Sequence, residues 1–346
     1  MSKPSYFERM IVLLMLMSLL LLPWPFGLTP DVAKASLVVW FLLLGLLWAI
    51  YLLRSGAPVF VGRQLTRVAW IGIGLLLLVQ AWVALQLNWT LSLYHTSMSL
   101  QLGLVYTLIF AMVLSLFYTR RRLLTLASVL IIGGTFQAFY GATMVLSHYE
   151  MIWGYEKLAS VGSASGTFVN RNHFAGYLEM TIAIAIGVML ALRTGEPWSW
   201  RGLLELLLSP KLLIRLALVV MVIGLVMSQS RMGNTAFMLS LLLTGLLFIV
   251  ITKQNRSRNL IILASLVVID VLIISQFFGL ERLKDRITQT EISVSTESGS
   301  LVVDVNDLRG LGVKQSMPLA WESALTGQGA GTFEIAFMPY AGLDFG

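Results

Sequence analysis

Nine stretches of the chain are apolar for long enough to cross about 30 Å of hydrocarbon as a helix. They run from Met10 to Leu28, Ser36 to Leu53, Val68 to Leu87, Leu100 to Tyr118, Leu123 to Leu146, His173 to Leu192, Leu212 to Ser228, Thr235 to Ile251 and Leu260 to Leu280. This pattern predicts an all-α fold: a polytopic transmembrane helical bundle of about nine spans over residues 1–280. The first run follows Lys3 and Arg9, as the core of a signal peptide would, but no small-residue cleavage site comes after it. PWPFGL, Pro23 to Leu28, reads instead as an interfacial end with aromatic anchors, so the run is expected to be retained as the first helix.

The polar positions between the runs set the orientation. With the N-terminus in the cytoplasm, Lys3 and Arg9, then Arg54, Arg63 and Arg67, then Arg120, Arg121 and Arg122 fall inside. Arg193, Arg201, Lys211 and Arg215, and finally Lys253, Arg256 and Arg258, fall on the same side. That makes fifteen of the 24 Lys and Arg residues, with no loop out of register, as the positive-inside rule requires. The stretch from Trp198 to Arg215 mixes tryptophan, leucine and basic residues as a helix lying on the inner leaflet would.

Cations on the outer side need another reason to be there. Arg171 and Arg231 stand in short segments at helix ends, whereas Lys34 and Lys157 sit in ordinary loop surroundings and are expected to be solvated. After Leu280 the chain turns polar, and residues 281–346 are expected to form a periplasmic loop domain. Its stretch ITQTEISVSTESGSLVVDV alternates β-branched residues as a short hairpin would, and MPLAWESAL suits a short helix. Glu179 and Asp270 are the intramembrane acids, and an ion pair to an arginine such as Arg231 is a natural structural role for either.

Composition narrows the class further. Hydrophobic residues make up 57% of the chain, charged residues 12%, and the mean hydropathy is +0.83, which excludes a soluble domain. There is no cysteine, hence no disulfide framework or thiolate metal site, and only three histidines, so no protein-built metal centre is expected. The net charge of +7 does not point to nucleic acid, because the basic residues lie in short clusters that topology explains.

The densest polar cluster is GTFVNRNHFAGYLEM, Gly166 to Met180, where Asn170, Arg171, Asn172 and His173 stand at the mouth of an apolar helix. Asn170 and Asn172 suit a helix cap. Arg171 and His173 do not, because a cation at a helix N-terminus opposes the macrodipole unless an anion also sits there. An anion site facing one side of the membrane is therefore expected. Arg231, in the short connection SQSRMGN, is held at the same interface. Near the C-terminus, GQGAGTF offers Gly329 and Gly331 for close backbone approach to a ligand, without the Lys-Ser/Thr of a nucleotide-binding phosphate loop.

GTFVNRNHFAGYLEM, SQSRMGN and ALTGQGAGTF, in this order and with this topology, together resemble the O-antigen ligase and O-antigen polymerase superfamily, glycosyltransferases of the bacterial inner membrane. The resemblance covers most of the chain from Gly166 onward. It implies metal-independent and cofactor-free transfer of a glycan from undecaprenyl diphosphate, on the periplasmic face, to an acceptor hydroxyl; in ligases the acceptor is a sugar of the lipid A core. It further implies that Arg231 and Arg309 bind the diphosphate and carry the chemistry, with Arg171, His173 and Asn172 adding to the site, and with Ala324 where a proline is usual. Family members carry a His-Asn motif further along the periplasmic loop, which is not reached before Gly346, so the chain is expected to be a truncated copy. A polymerase or a protein O-oligosaccharyltransferase shares the same carrier and differs in acceptor. A lipid-linked glycan transporter would want its charges at the bilayer midplane, where these are not. A purely structural subunit would leave the three arginines without a common purpose.

Overall fold

In the computed structural model the residues described are 5–61, 63–192, 210–251 and 308–341. Eight of the nine apolar runs form helices there: α1 (Tyr6–Leu21), α2 (Asp31–Ser55), α3 (Arg63–Gln86), α4 (Leu93–Leu116), α5 (Arg120–Leu146), α6 (Arg171–Ala191), α7 (Pro210–Met227) and α8 (Arg231–Ile251). The ninth run, the acid Asp270, the alternating stretch 287–305 and most of the segment assigned to the inner leaflet lie outside the described residues. Among the described residues, α2 to α6 are long and apolar enough to cross a membrane. The large apolar side chains they leave exposed, such as Leu42, Leu46, Leu75, Leu78 and Phe139, are what a lipid solvent accepts and water does not.

Helix boundaries follow local chemistry. Ser5 caps α1 by accepting from the Glu8 N–H, and Thr119 caps α5 by accepting from the Arg122 N–H. The residues at these third positions then meet each other, with Arg122 on Glu8 at 2.6 Å, which ties the two helix starts together. The apolar run of α1 stops at Leu21 rather than Leu28, because Pro23 and Pro25 have no N–H to continue the ladder; a 3-10 turn over Phe26–Leu28 follows. MPLAWE forms the end of a longer helix, α9 (Leu308–Glu322), and the short α10 (Phe333–Phe337) comes after the glycine-rich loop.

The chain packs as two compact units that interleave along the sequence: Met1–Ala35 with Thr119–Leu283, and Ser36–Tyr118 with Lys284–Gly346. In the first, α5 is central. Gly134, Ala138 and Ala142, spaced four apart, give it a stripe of small residues on one face, the pattern that lets membrane helices approach closely. A methyl group on Gly224 of α7 would lie 2.9 Å from the Ala138 Cα, and one on Gly134 would lie 2.8 Å from the Thr181 Cβ of α6 and 2.9 Å from the Met221 sulfur of α7. Phe174, Leu178, Ile182, Met221 and Leu225 fill this core and are fully buried. In the second unit, α3 and α4 form an antiparallel pair, and α9 and α10 belong to the same unit.

One polar knot crosses the first unit's core. Gln137, fully buried in α5, donates through Nε2 to the Thr167 hydroxyl at 2.9 Å and accepts from the Thr167 N–H at 2.9 Å, while the hydroxyl donates to the Pro23 carbonyl at 2.7 Å. The end of α1, the middle of α5 and the loop before α6 are thereby held at one point. Gln137→Leu should strand a buried N–H and cost about 1–3 kcal/mol of stability. Thermal unfolding in detergent would read this, and an unchanged midpoint would show that the loop is held elsewhere.

Candidate functional site

The connection between α5 and α6 builds the site. It opens with a hairpin of β1 (Met151–Ile152) and β2 (Tyr155–Glu156), paired Met151 to Glu156 and Ile152 to Tyr155. The two turn residues both have positive φ, Trp153 at 52° and Gly154 at 86°, the handedness that a two-residue hairpin requires. For tryptophan this backbone is strained. Its ring offsets the strain: it stacks on Tyr140 at 5.5 Å, packs against Trp24 at 5.2 Å, and donates from Nε1 to the Trp24 carbonyl at 2.9 Å. Tyr140 in turn donates to the Met151 carbonyl at 3.0 Å, so the hairpin is bolted to α5.

The hairpin stem carries Glu150 and Lys157. Contrary to the solvated position expected for it, Lys157 is buried, with 5% of its surface exposed. Its ammonium donates to Glu150 Oε2 at 3.2 Å and to the Ser163 carbonyl, and the other Glu150 oxygen accepts from the Gly162 N–H at 2.6 Å. A buried ammonium must be paired in this way or lose its charge. Burial pushes the Lys157 pKa below the ordinary lysine value; Glu150 opposes this by hydrogen bond and charge, and the nearby Arg171 charge adds to it.

The segment that Lys157 fixes supports Arg171. Its Nη1 donates to the Ser163 hydroxyl at 2.9 Å and its backbone N–H to the Ser160 hydroxyl at 3.3 Å. The same segment is sewn to the α7–α8 turn by Ala164 N–H on the Met227 carbonyl at 2.8 Å and by the Gln229 side chain on the Gly162 carbonyl at 3.1 Å.

Two helices start here. Asn170 caps α6, accepting from the Asn172 N–H at 2.8 Å, as its residue type predicts. Ser230 accepts from the Gly233 N–H at 3.2 Å at the start of α8, and its hydroxyl donates to Asn172 Oδ1 at 2.9 Å. The Asn172 side chain therefore joins the two helix N-termini rather than capping its own. Arg171 and Arg231 are the first residues of α6 and α8, so both stand at this joined rim; Arg171 is half-buried and Arg231 and His173 are exposed. Two helix N-termini come together there, with Arg171, His173 and Arg231 in their first turns, and of the two acids in the loop beside them, Glu150 and Glu156, the first is paired with Lys157. The ion pair expected between Glu179 and Arg231 is not formed among the described residues.

Gly329 and Gly331 do approach a neighbour closely, and that neighbour is the protein itself. Both have positive φ, at 109° and 76°, and a side chain at either would strike Thr90, Thr96 or Ser99. Thr96 donates to the Ala330 carbonyl at 3.1 Å, the Leu91 N–H to the Gln328 carbonyl at 3.1 Å, and Gln86 to the Thr326 carbonyl at 2.8 Å, so the loop is docked on the α3–α4 turn. This close contact by itself calls for glycine at both positions. Arg309 lies in α9, in the second unit, and its side chain is outside the described residues. No group of metal-binding side chains occurs among the described residues.

Sequence reasoning passed over Glu150, Lys157, Ser163 and Ser230. The Trp153-Gly154 turn between Glu150 and Lys157 was the available signal for the first pair. Comparison with family models, with curated proteins and with solved structures finds no match to the chain.

The lowered pKa of Lys157 has a sign that can be measured. Between its folded value and the ordinary 10.5 the unfolded chain binds more protons, so the residue's contribution to stability rises with pH over that window. The unfolding free energy of the wild type relative to Lys157→Met should accordingly grow as the pH is raised towards 10.5. A difference that stayed flat would place the ammonium in water.

Proposed function

We propose that the protein is a glycosyltransferase of the O-antigen ligase type, moving a glycan from undecaprenyl diphosphate to an acceptor hydroxyl, with a lipid A core sugar as the acceptor class, at the periplasmic face of the bacterial inner membrane. The observation that carries this is the Ser230 to Asn172 hydrogen bond, which brings two helix N-termini and their leading arginines to one rim. Paired N–H-rich helix ends with guanidinium groups suit a diphosphate, whose charge grows as it leaves and which fixed donors can stabilise without a metal. His173 and Asn172 belong to the first turn of α6 at the same rim, whereas the role of Arg309 rests on the resemblance alone and that of Gly329 and Gly331 on their glycine pattern.

The proposed topology has nine spans, with the N-terminus inside and the segment after Leu280 outside. Docking of the Thr326–Ala330 backbone on the α3–α4 turn supports it, because charge distribution puts that turn outside. A reporter fused after Ser300 should be active only in the periplasm; cytoplasmic activity would overturn this orientation.

Arg231 sits in a connection too short to reposition, and a planar fork grips paired phosphate oxygens as an ammonium cannot. Arg231→Lys should therefore be nearly as damaging as Arg231→Ala, each lowering transfer on the order of 30- to 1000-fold at matched membrane levels. Near-normal transfer by the alanine variant would reduce Arg231 to a residue reaching for lipid headgroups.

A further inference from the structure

The loop between α5 and α6 is inside out for a segment bathed in water. Its one lysine is buried against Glu150, while Tyr149, Trp153, Tyr155, Leu158 and Val161 are exposed, Leu158 over 93% of its surface. Water favours the opposite arrangement, with the ammonium out and the large apolar groups in. Five such groups within thirteen residues make a patch, and a patch of this kind marks a surface that meets something apolar. Glu156, the exposed acid of the stem, leaves β2 on the opposite side from Tyr155, as strand alternation requires.

The loop also folds back along α5 instead of projecting from it. Trp153 stacks on Tyr140 and packs against Trp24, and Thr167 is bonded to Gln137, so the hairpin tip and the segment before α6 both lie below the end of α5 at Leu146. Arg122, paired with Glu8, marks one polar boundary of that helix. Tyr140 stands 18 residues further on, about 27 Å along the axis and just within the roughly 30 Å of hydrocarbon. Tryptophan and tyrosine gather at this depth in membrane proteins. Phe139 and Ile132 of α5 are exposed as well, so the apolar surface continues down the helix.

We propose that this loop is seated in the interfacial layer of the bilayer, with Tyr149, Trp153, Tyr155, Leu158 and Val161 against lipid. Aromatic rings with a polar tip suit that layer, one end apolar and the other wet. The burial of Lys157 on Glu150 fits the same place, because neither charge is then presented to lipid. The seating also sets the level of Arg171. Thr181 of the antiparallel α6 lies against Gly134, which is 12 residues and about 18 Å beyond Arg122. Arg171 is 10 residues before Thr181, about 15 Å further out, which places the rim about 33 Å from Arg122, beyond the hydrocarbon and within the headgroup layer. Through Ser160 and Ser163 the seated loop holds Arg171 at that level.

The chain has no cysteine, so single labels can be placed cleanly. Leu158→Cys and Val161→Cys, both at exposed positions that leave the packing untouched, are spin-labelled in the full chain in lipid nanodiscs, with Leu46→Cys of α2 as the lipid-facing reference. Collisions with oxygen, which concentrates in lipid, are compared with collisions with a neutral nickel chelate, which stays in water. Oxygen should prevail at both loop positions as it does at Leu46, by a smaller ratio because the loop lies nearer the headgroups. Prevalence of the chelate at either loop position overturns the seating. So does shielding of the labels from the chelate by an added soluble oligosaccharide, which would assign the aromatic face to sugar.

Discussion

A single hydrogen bond, from the Ser230 hydroxyl to the Asn172 amide oxygen, ties the start of one apolar helix to the start of another. Helix starts repel each other in dipole terms, since each presents unsatisfied N–H groups and partial positive charge. Bringing two together and placing an arginine at the head of each compounds that repulsion. Neighbouring polar groups absorb part of that strain: Asn170, Ser230 and Ser163 satisfy individual donors, while the Arg231 side chain stays exposed.

Much of the helical framework was legible, for a reason that lies in the solvent. A long apolar run has few alternatives to a helix when backbone groups must be satisfied within the segment, and eight runs accordingly became helices whose ends moved by a few residues. The largest shifts, at the start of α4 and at the end of α1, are of equal size, and the second has a local cause in Pro23 and Pro25 that the same sequence displays. Asn170 was legible as a cap because its chemistry is local. Asn172 was not, since its partner is 58 residues away and nothing in either motif announces the pairing.

Lys157 shows why loop residues resist such reading. Whether an ammonium is solvated or buried depends on what the chain folds over it, and here a hairpin turn led by tryptophan, an uncommon residue at positive φ, brings Glu150 back alongside it. The glycines Gly329 and Gly331 were legible in part. Their pattern did announce a close approach, and the structure has one, but a sequence cannot say whether the approaching atoms belong to a ligand or to Thr90 and Thr96 of the same chain.

The joined starts also constrain the helix between them. With Asn172 beside Ser230, and Ala175 and Glu179 beside Gly233, α6 and α8 begin side by side and run the same way, so the chain must travel the full length of the layer to return from the end of one to the start of the other. α7 makes that return, and its path is set by close contact with α5 at Gly224 and Ala138. Small residues in the middle of α5 thereby decide where the α7–α8 turn emerges. The Met227 carbonyl and Gln229 at that turn hold the same loop segment that Lys157 and Arg171 hold from the other side. The position of the arginine at the rim is thus a consequence of packing deep in the core: a side chain on Gly224 would push α7 from α5 and carry Arg231 away from Arg171 without touching either.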